Sequence, residues 1–254
     1  MAIRFHFLAV LLLAVAAPST ASAAHPLLTE DTGTQGSGRY QLELQGESGR
    51  DRAGGERVRS LQTAAVLSYG LRDRLDIQIG SAVLREHSDA AAGSGLLEGA
   101  LDASLDLKWR FFERETVSLG LRPGLTLPSG RSAPGLGNGR IGFGTLLVLS
   151  YQPGAFAFHT HVGYKRNRNV HGDRKALRHV SAALSYELAQ GLRLVADVSR
   201  ASNPEPGAAT PLRYVIAGAI WSVTSDLDLD FGLKRGKSPA ATDNAMLVGA
   251  TLRW

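Results

Sequence analysis

Between Leu101 and Phe111 the chain alternates without interruption. Leu101, Ala103, Leu105, Leu107, Trp109 and Phe111 take one set of positions, and Asp102, Ser104, Asp106, Lys108 and Arg110 the other. Successive side chains of a β-strand point to opposite faces, so this segment has one oily face and one charged face. Wound into a helix, the same residues would scatter charge around the whole cylinder. The segment is a strand with water on one side and an apolar medium on the other.

The same period of two recurs along the chain. Its apolar rows are Tyr40, Leu42, Leu44; Leu61, Thr63, Ala65, Leu67, Tyr69; Leu75, Ile77, Ile79; and, after the Trp109 strand, Val117, Leu119, Leu121, Leu125, Leu127. They continue with Ile141 to Tyr151, Phe156 to Tyr164, Val180 to Tyr186 and Leu192 to Val198, each taken at every second residue. The last three are Tyr214, Ile216, Ile220; Leu227 to Leu233; and Met246 to Trp254. That makes about 12 strands, an even number as in bacterial single-chain barrels.

The connections alternate in length. Short turns fall at 71–73, 113–115, 153–154, 190–191 and 225–226, and longer Gly-, Pro- and charge-rich loops at 47–56, 86–99, 128–140, 166–176, 201–211 and 236–244. Outer-membrane barrels have short periplasmic turns and longer outer loops, whereas a soluble sandwich has no reason to segregate them. Tyr40, Tyr69, Trp109, Phe111, Tyr151, Phe156, Tyr186 and Trp254 gather at the short-turn ends on the apolar face, as an interfacial aromatic girdle should. In hydrocarbon every backbone N–H and C=O must be paired, so a sheet that spans must close. The expected fold is all-β: a transmembrane antiparallel up-and-down barrel with both termini periplasmic.

The first residues read as an export signal. Arg4 and His6 precede an apolar core from Phe7 to Ala17, and Ala21-Ser22-Ala23 has the small-x-small form of a cleavage site. The chain then divides into a cleavable signal at 1–23, a polar leader at 24–38 and the barrel at 39–254. The leader has no apolar periodicity; it either hangs in the periplasm or folds into the lumen as a plug. There are no cysteines, so an exported chain is here held by closed hydrogen bonding rather than by disulfides. The formal net charge is +5, but no lysine or arginine block accompanies it, which argues against a nucleic-acid partner.

The polar faces would line the lumen. The lumen candidates are Lys108, Arg110, Arg122, His159, His161, Lys165, Asp228, Asp230 and Lys234, with Arg57, Arg59, Asp76, Asp106, Arg193, Asp197 and Arg253 assigned to the same face. Their signs are mixed, unlike the one-sided ladder of a strongly charge-selective pore. Opposite charges a strand apart can also brace the wall. His159 and His161 share a face and His179 stands on the next strand; without a clear further ligand they read as polar lumen rather than a metal site. Their protonation near pH 6 would tune conductance. His179 and Ser181 lie on the inferred inward side, away from lipid, where a lipid hydrolase could not use them. No cofactor or enzymatic activity is expected.

Two stretches resemble a known family. The leader from His25-Pro26-Leu27-Leu28 through Thr29-Glu30-Asp31-Thr32-Gly33-Thr34-Gln35-Gly36 runs directly into the first strand, and Leu127-Pro128-Ser129-Gly130 is followed by Leu136-Gly137-Asn138-Gly139. Both are similar to the outer-membrane transporter family named for the MetA-pathway of phenol degradation. Arg131 stands where that family often has an acidic residue. The resemblance implies an outer-membrane barrel that passes small solutes, hydrophobic or aromatic ones among them. The alternatives are a structural or interaction barrel with a plugged lumen and, further off, a barrel lipid hydrolase. Expected partners are outer-membrane lipid, a small solute and the barrel assembly machinery, for which Trp254, aromatic and outward on the final strand, would be the signal.

Overall fold

The computed structural model describes residues 25–53, 56–90 and 93–254, so the expected export signal at 1–23 lies outside the described residues. The first strands are β1 (Tyr40–Ala53), β2 (Glu56–Arg72), β3 (Leu75–Ala90), β4 (Gly93–Ala100), β5 (Ala103–Arg114) and β6 (Val117–Leu127). They are followed by β7 (Gly142–Tyr151), β8 (Phe156–Arg166), β9 (Ala176–Ala189), β10 (Leu192–Ala201), β11 (Leu212–Ser222), β12 (Leu227–Gly236) and β13 (Asn244–Arg253). Each pairs antiparallel with its neighbours, and β1 pairs with both β2 and β13, so the sheet closes. The seam is completed by the Tyr40 N–H donating to the Trp254 carbonyl at 2.9 Å and the Trp254 N–H returning to the Tyr40 carbonyl at 3.2 Å.

Thirteen elements occupy twelve wall positions, because β4 and β5 together fill one of them, both pairing with β3. The first half of β3 pairs with β5 through Leu75–Gly80 and its second half with β4 through Val83–Ala90. One wall strand is therefore broken at Leu101 and Asp102, and the strand read from Leu101 begins at Ala103. Two of the expected long loops are also different. Residues 47–56 and 86–99 mostly belong to extended hairpins, β1–β2 and β3–β4. Both faces of these hairpins carry polar residues, so composition resembles a loop although the backbone stays paired.

The outer face carries the apolar rows, with Leu107, Phe143, Leu147, Val162, Phe231 and Val248 all exposed. A belt of this kind in water would be an aggregation surface; facing acyl chains it is the natural exterior of a membrane barrel. The aromatic girdle is present in stacked and tilted contacts: Tyr40 with Tyr69 (4.6 Å) and Trp254 (5.6 Å), Trp109 with Phe111 (5.6 Å), and Phe156 with Tyr186 (4.8 Å).

Two face assignments are corrected. Arg57 and Arg59 share the parity of Leu61 and point outward, both exposed. On β11 the row Tyr214, Ile216, Ile220 faces inward: Ile216 is 0% exposed and Ile220 2%, and their cross-strand partners include the inward Asp197, Lys234 and Asp230. The outward row is Val215, Ala217, Ala219 and Trp221, which brings Trp221 into the girdle at 55% exposed. β11 is apolar on both faces because its inner face meets protein rather than water.

Candidate functional site: a lumen threaded by the leader

Residues 25–36 lie inside the barrel, and Ser37 and Gly38 are exposed beside the 71–73 turn. Without regular structure of its own, the leader must find partners for its polar groups on the wall. Asp197 of β10 accepts the N–H groups of Leu28 (3.0 Å) and Thr29 (2.8 Å). His161 Nδ1 of β8 accepts that of Glu30 at 3.0 Å, Ser150 Oγ of β7 that of Thr32 at 3.1 Å, and Asp76 of β3 that of Gln35 at 3.0 Å. His25 Nδ1 and Asp230 of β12 lie 2.5 Å apart. The leader thus crosses the lumen from the β12 side to the β3 side before turning into β1.

Its two carboxylates sit at the centre. Lys108 Nζ of β5 donates to Glu30 at 2.7 Å and to Asp31 at 2.9 Å, while Arg122 of β6 bonds the other Glu30 oxygen and reaches Asp106 at 3.4 Å. Burial by itself would raise the Glu30 carboxyl, but Lys108 and Arg122 outweigh it and hold the group down, at about 2. Charges buried this deeply persist only when paired and hydrogen-bonded, and these are.

Small residues make room for the passage. A Cβ on Gly70 of β2 would lie 1.8 Å from the Gly36 carbonyl oxygen, and one on Gly249 of β13 would lie 2.5 Å from His25 Nδ1. Pro26 crosses over Gly218 and Gly232 in the same way. Both are inward positions of β11 and β12, beside the buried Ile216 and Ile220.

All nine lumen candidates point inward. Lys108, Arg122, His161 and Asp230 hold the leader, as above. His159 bonds Ser150 at 2.8 Å, Asp228 pairs with Arg253 (2.9 Å) and Arg193 (3.4 Å), and Arg110 pairs with Glu113 at 3.3 Å. Lys234 pairs with Glu47 and stands 4.9 Å from the Tyr214 ring centroid. The Lys165 side chain has no ion pair or hydrogen bond among the described residues. Bracing therefore claims most of the set and leaves Lys165 to the open space.

His161 Nε2 and His179 Nδ1 are 2.7 Å apart. Because His161 Nδ1 accepts from the leader, its proton sits on Nε2 and is donated to His179. Ser181 lies 3.3 Å from the His161 ring, also inside the lumen. No group of three or more potential metal ligands is assembled among the described residues. The residues missed from sequence are Glu30, Asp31 and His25, which lie in a segment with no periodicity to assign them a face.

Two cavities lie along the wall, the first of them lined in part by the leader. One of about 310 Å³ lies toward β1–β3 and β13, lined by Glu43, Gln62, Gln78 and Leu247. The other, about 410 Å³, opens toward the long-loop side between β5 and β9, lined by Asp106, Leu146, Lys165, Leu177 and His179. Arg122 borders both. Above them the 128–140 loop is bound to the wall-strand break: Asp102 accepts the N–H of Gly130 (3.1 Å) and of Asn138 (2.7 Å). Arg131, whose place in the loop departs from the family pattern, donates to the Glu98 carbonyl at 3.0 Å.

The model of the family described as "Putative MetA-pathway of phenol degradation" matches residues 29–254. The chain belongs to this family. Solved structures add the fold. An outer membrane channel from Pseudomonas putida F1 superposes with a TM-score of 0.68 at 16% identity, covering 88% of this chain and 98% of that one. The NanC porin gives 0.57 at 10% identity, covering 83% and 98%. The translocator domain of the autotransporter NalP from Neisseria meningitidis gives 0.55 at 14%, covering 87% and 90%. A search of curated proteins finds no match by sequence. At these identities the likeness is one of architecture, and members of one architecture differ in what fills the lumen.

Proposed function

We propose that this member of the family is an outer-membrane channel for small solutes, oriented with both termini in the periplasm and narrowed by its own leader. The observation that carries this reading is the lumen: a closed wall, apolar outside and largely polar inside, with one cavity against the leader and a second beyond Arg122 on the long-loop side. That the Pseudomonas putida protein of the same architecture is described as an outer membrane channel supports it. Leu146 and Leu177 beside Lys165 and His179 suit a small apolar or aromatic body bearing an anionic or polar group. Ser181 and His179 face the lumen, which supports passage rather than lipid hydrolysis.

The rival reading, a plugged barrel that works through its loops, draws on the same leader and its bonds to β3, β5, β6, β7, β8, β10 and β12. Planar-bilayer recording of the purified barrel separates the two. The channel reading expects small steady openings that enlarge when residues 25–36 are deleted. Silence from the intact barrel, with openings only after the deletion, favours the plugged barrel.

A further inference from the structure

On five consecutive strands the outward apolar row ends in an arginine on the long-loop side: Arg166 of β8, Arg178 of β9, Arg200 of β10, Arg213 of β11 and Arg235 of β12. All five are exposed, and none has an ion pair among the described residues. No outward position of these strands, from the aromatic end to the arginine, is acidic. The acids of the adjoining loops, Asp173, Glu205 and Asp243, pair with none of the five. Arg200 and Arg213 are direct cross-strand partners on the same face. Like charges placed so are destabilising unless something anionic lies between them.

Position in the membrane narrows what that anion is. Phe156, Tyr186 and Trp221 mark the opposite end of the same rows, about eight to ten residues away. At the rise and tilt of barrel strands that is roughly 20–25 Å, the height of the apolar band. The arginines therefore stand at the second interface, level with lipid headgroups. Beside them an external groove of about 720 Å³ joins Arg174, Arg178 and Arg200 to an apolar floor of Leu147, Val162 and Val180. Cationic forks above acyl-sized apolar surface match one ligand chemistry. We propose that this arc binds the phosphate groups of phosphorylated glycolipid in the leaflet on the long-loop side, with acyl chains lying along the groove. Guanidinium groups bind phosphate through paired hydrogen bonds, and a phosphate between Arg200 and Arg213 removes their repulsion.

The leaflet assignment rests on the proposed orientation; recognition of phosphate does not. The test uses the purified full barrel in detergent with bisphosphorylated lipid A and its dephosphorylated counterpart, bound lipid being counted by native mass spectrometry. The wild type should retain the phosphorylated lipid. The triple variant Arg178→Gln, Arg200→Gln, Arg213→Gln should lose affinity roughly tenfold or more. The lysine versions of the same three changes should keep most of it, showing that an assembled barrel is being measured. Equal retention of the dephosphorylated lipid, or undiminished binding by the glutamine variant, would overturn phosphate recognition. Separately, Ala240→Cys, exposed on a long loop away from the groove, should be labelled on intact cells by a membrane-impermeant maleimide; protection from it would overturn the leaflet.

Discussion

Glu30 is the charged centre of the leader, and its grip on the wall depends on pH in one direction. Its carboxyl is held at about 2, below the ordinary 4.5, by Lys108 and Arg122 acting against burial. A depressed carboxylate contributes stability that is complete above its unfolded value and is lost as pH falls toward its folded one. Leader attachment should therefore be constant down to about pH 5 and weaken progressively below it. Glu30→Gln should show the weakened state already at neutral pH, leaving two buried cations short of a counter-charge. Single-channel conductance measured from neutral to acid pH checks both: the wild type rises on acidification and the variant begins high. An acid response retained unchanged by Glu30→Gln would assign it to another group. Lys108, Arg122 and His161 were legible as lumen residues because strand parity sets their face. Glu30 was not, since nothing in an aperiodic leader says which neighbours its carboxylate will meet.

At the level of single strands, β11 shows where alternation ceases to inform. A strand between lipid and water reads as apolar-out and polar-in, but β11 separates lipid from Pro26 and its surroundings, and both faces are apolar. The larger side chains, Ile216 and Ile220, go to the packed interior, and small alanines face lipid. Ala217→Arg should therefore lower folding free energy by about 2–4 kcal/mol, the cost of a cation near the bilayer midplane. Denaturant titration of the barrel in vesicles measures this, and an unaltered value would place Ala217 in the lumen. Most other strands followed their apolar rows because their inner faces keep charged or polar residues; β7 and β13, apolar inside at Val148, Ala245 and Leu247, still show the larger apolar row outside. The broken position at Leu101-Asp102 was hidden because its alternation continues unbroken through the interruption. β13 supplies a different test. Trp254 stacks on Tyr40 and shares both seam hydrogen bonds with it. Deleting Trp254 should reduce the amount of assembled barrel, seen as heat-modifiable protein in the membrane fraction, far more than it changes conductance per assembled molecule. Normal assembly of the deletion would remove the seam's end from any part in closure.

Across the whole molecule, the wall and its contents were unequally readable. Closure, strand number and the outer belt follow from local alternation repeated many times, so an error at one strand leaves the rest intact. The filling of the lumen depends on contacts between residues far apart in sequence: Thr29 with Asp197 over 168 residues and His25 with Asp230 over 205. Such contacts carry a loop-closure entropy approaching that of the seam itself, where Gln41 meets Arg253 over 212 residues, and become favourable only when both ends are already fixed. Asp197 and Asp230 belong to β10 and β12, and Gly249, which admits His25, belongs to the closing strand. The His25 end of the leader, near the start of the described chain, therefore finds its place only against strands near the chain's end. A chain built in this order can seat the His25 end of its leader only after the final strand has met the first, so an unfinished barrel leaves that end loose.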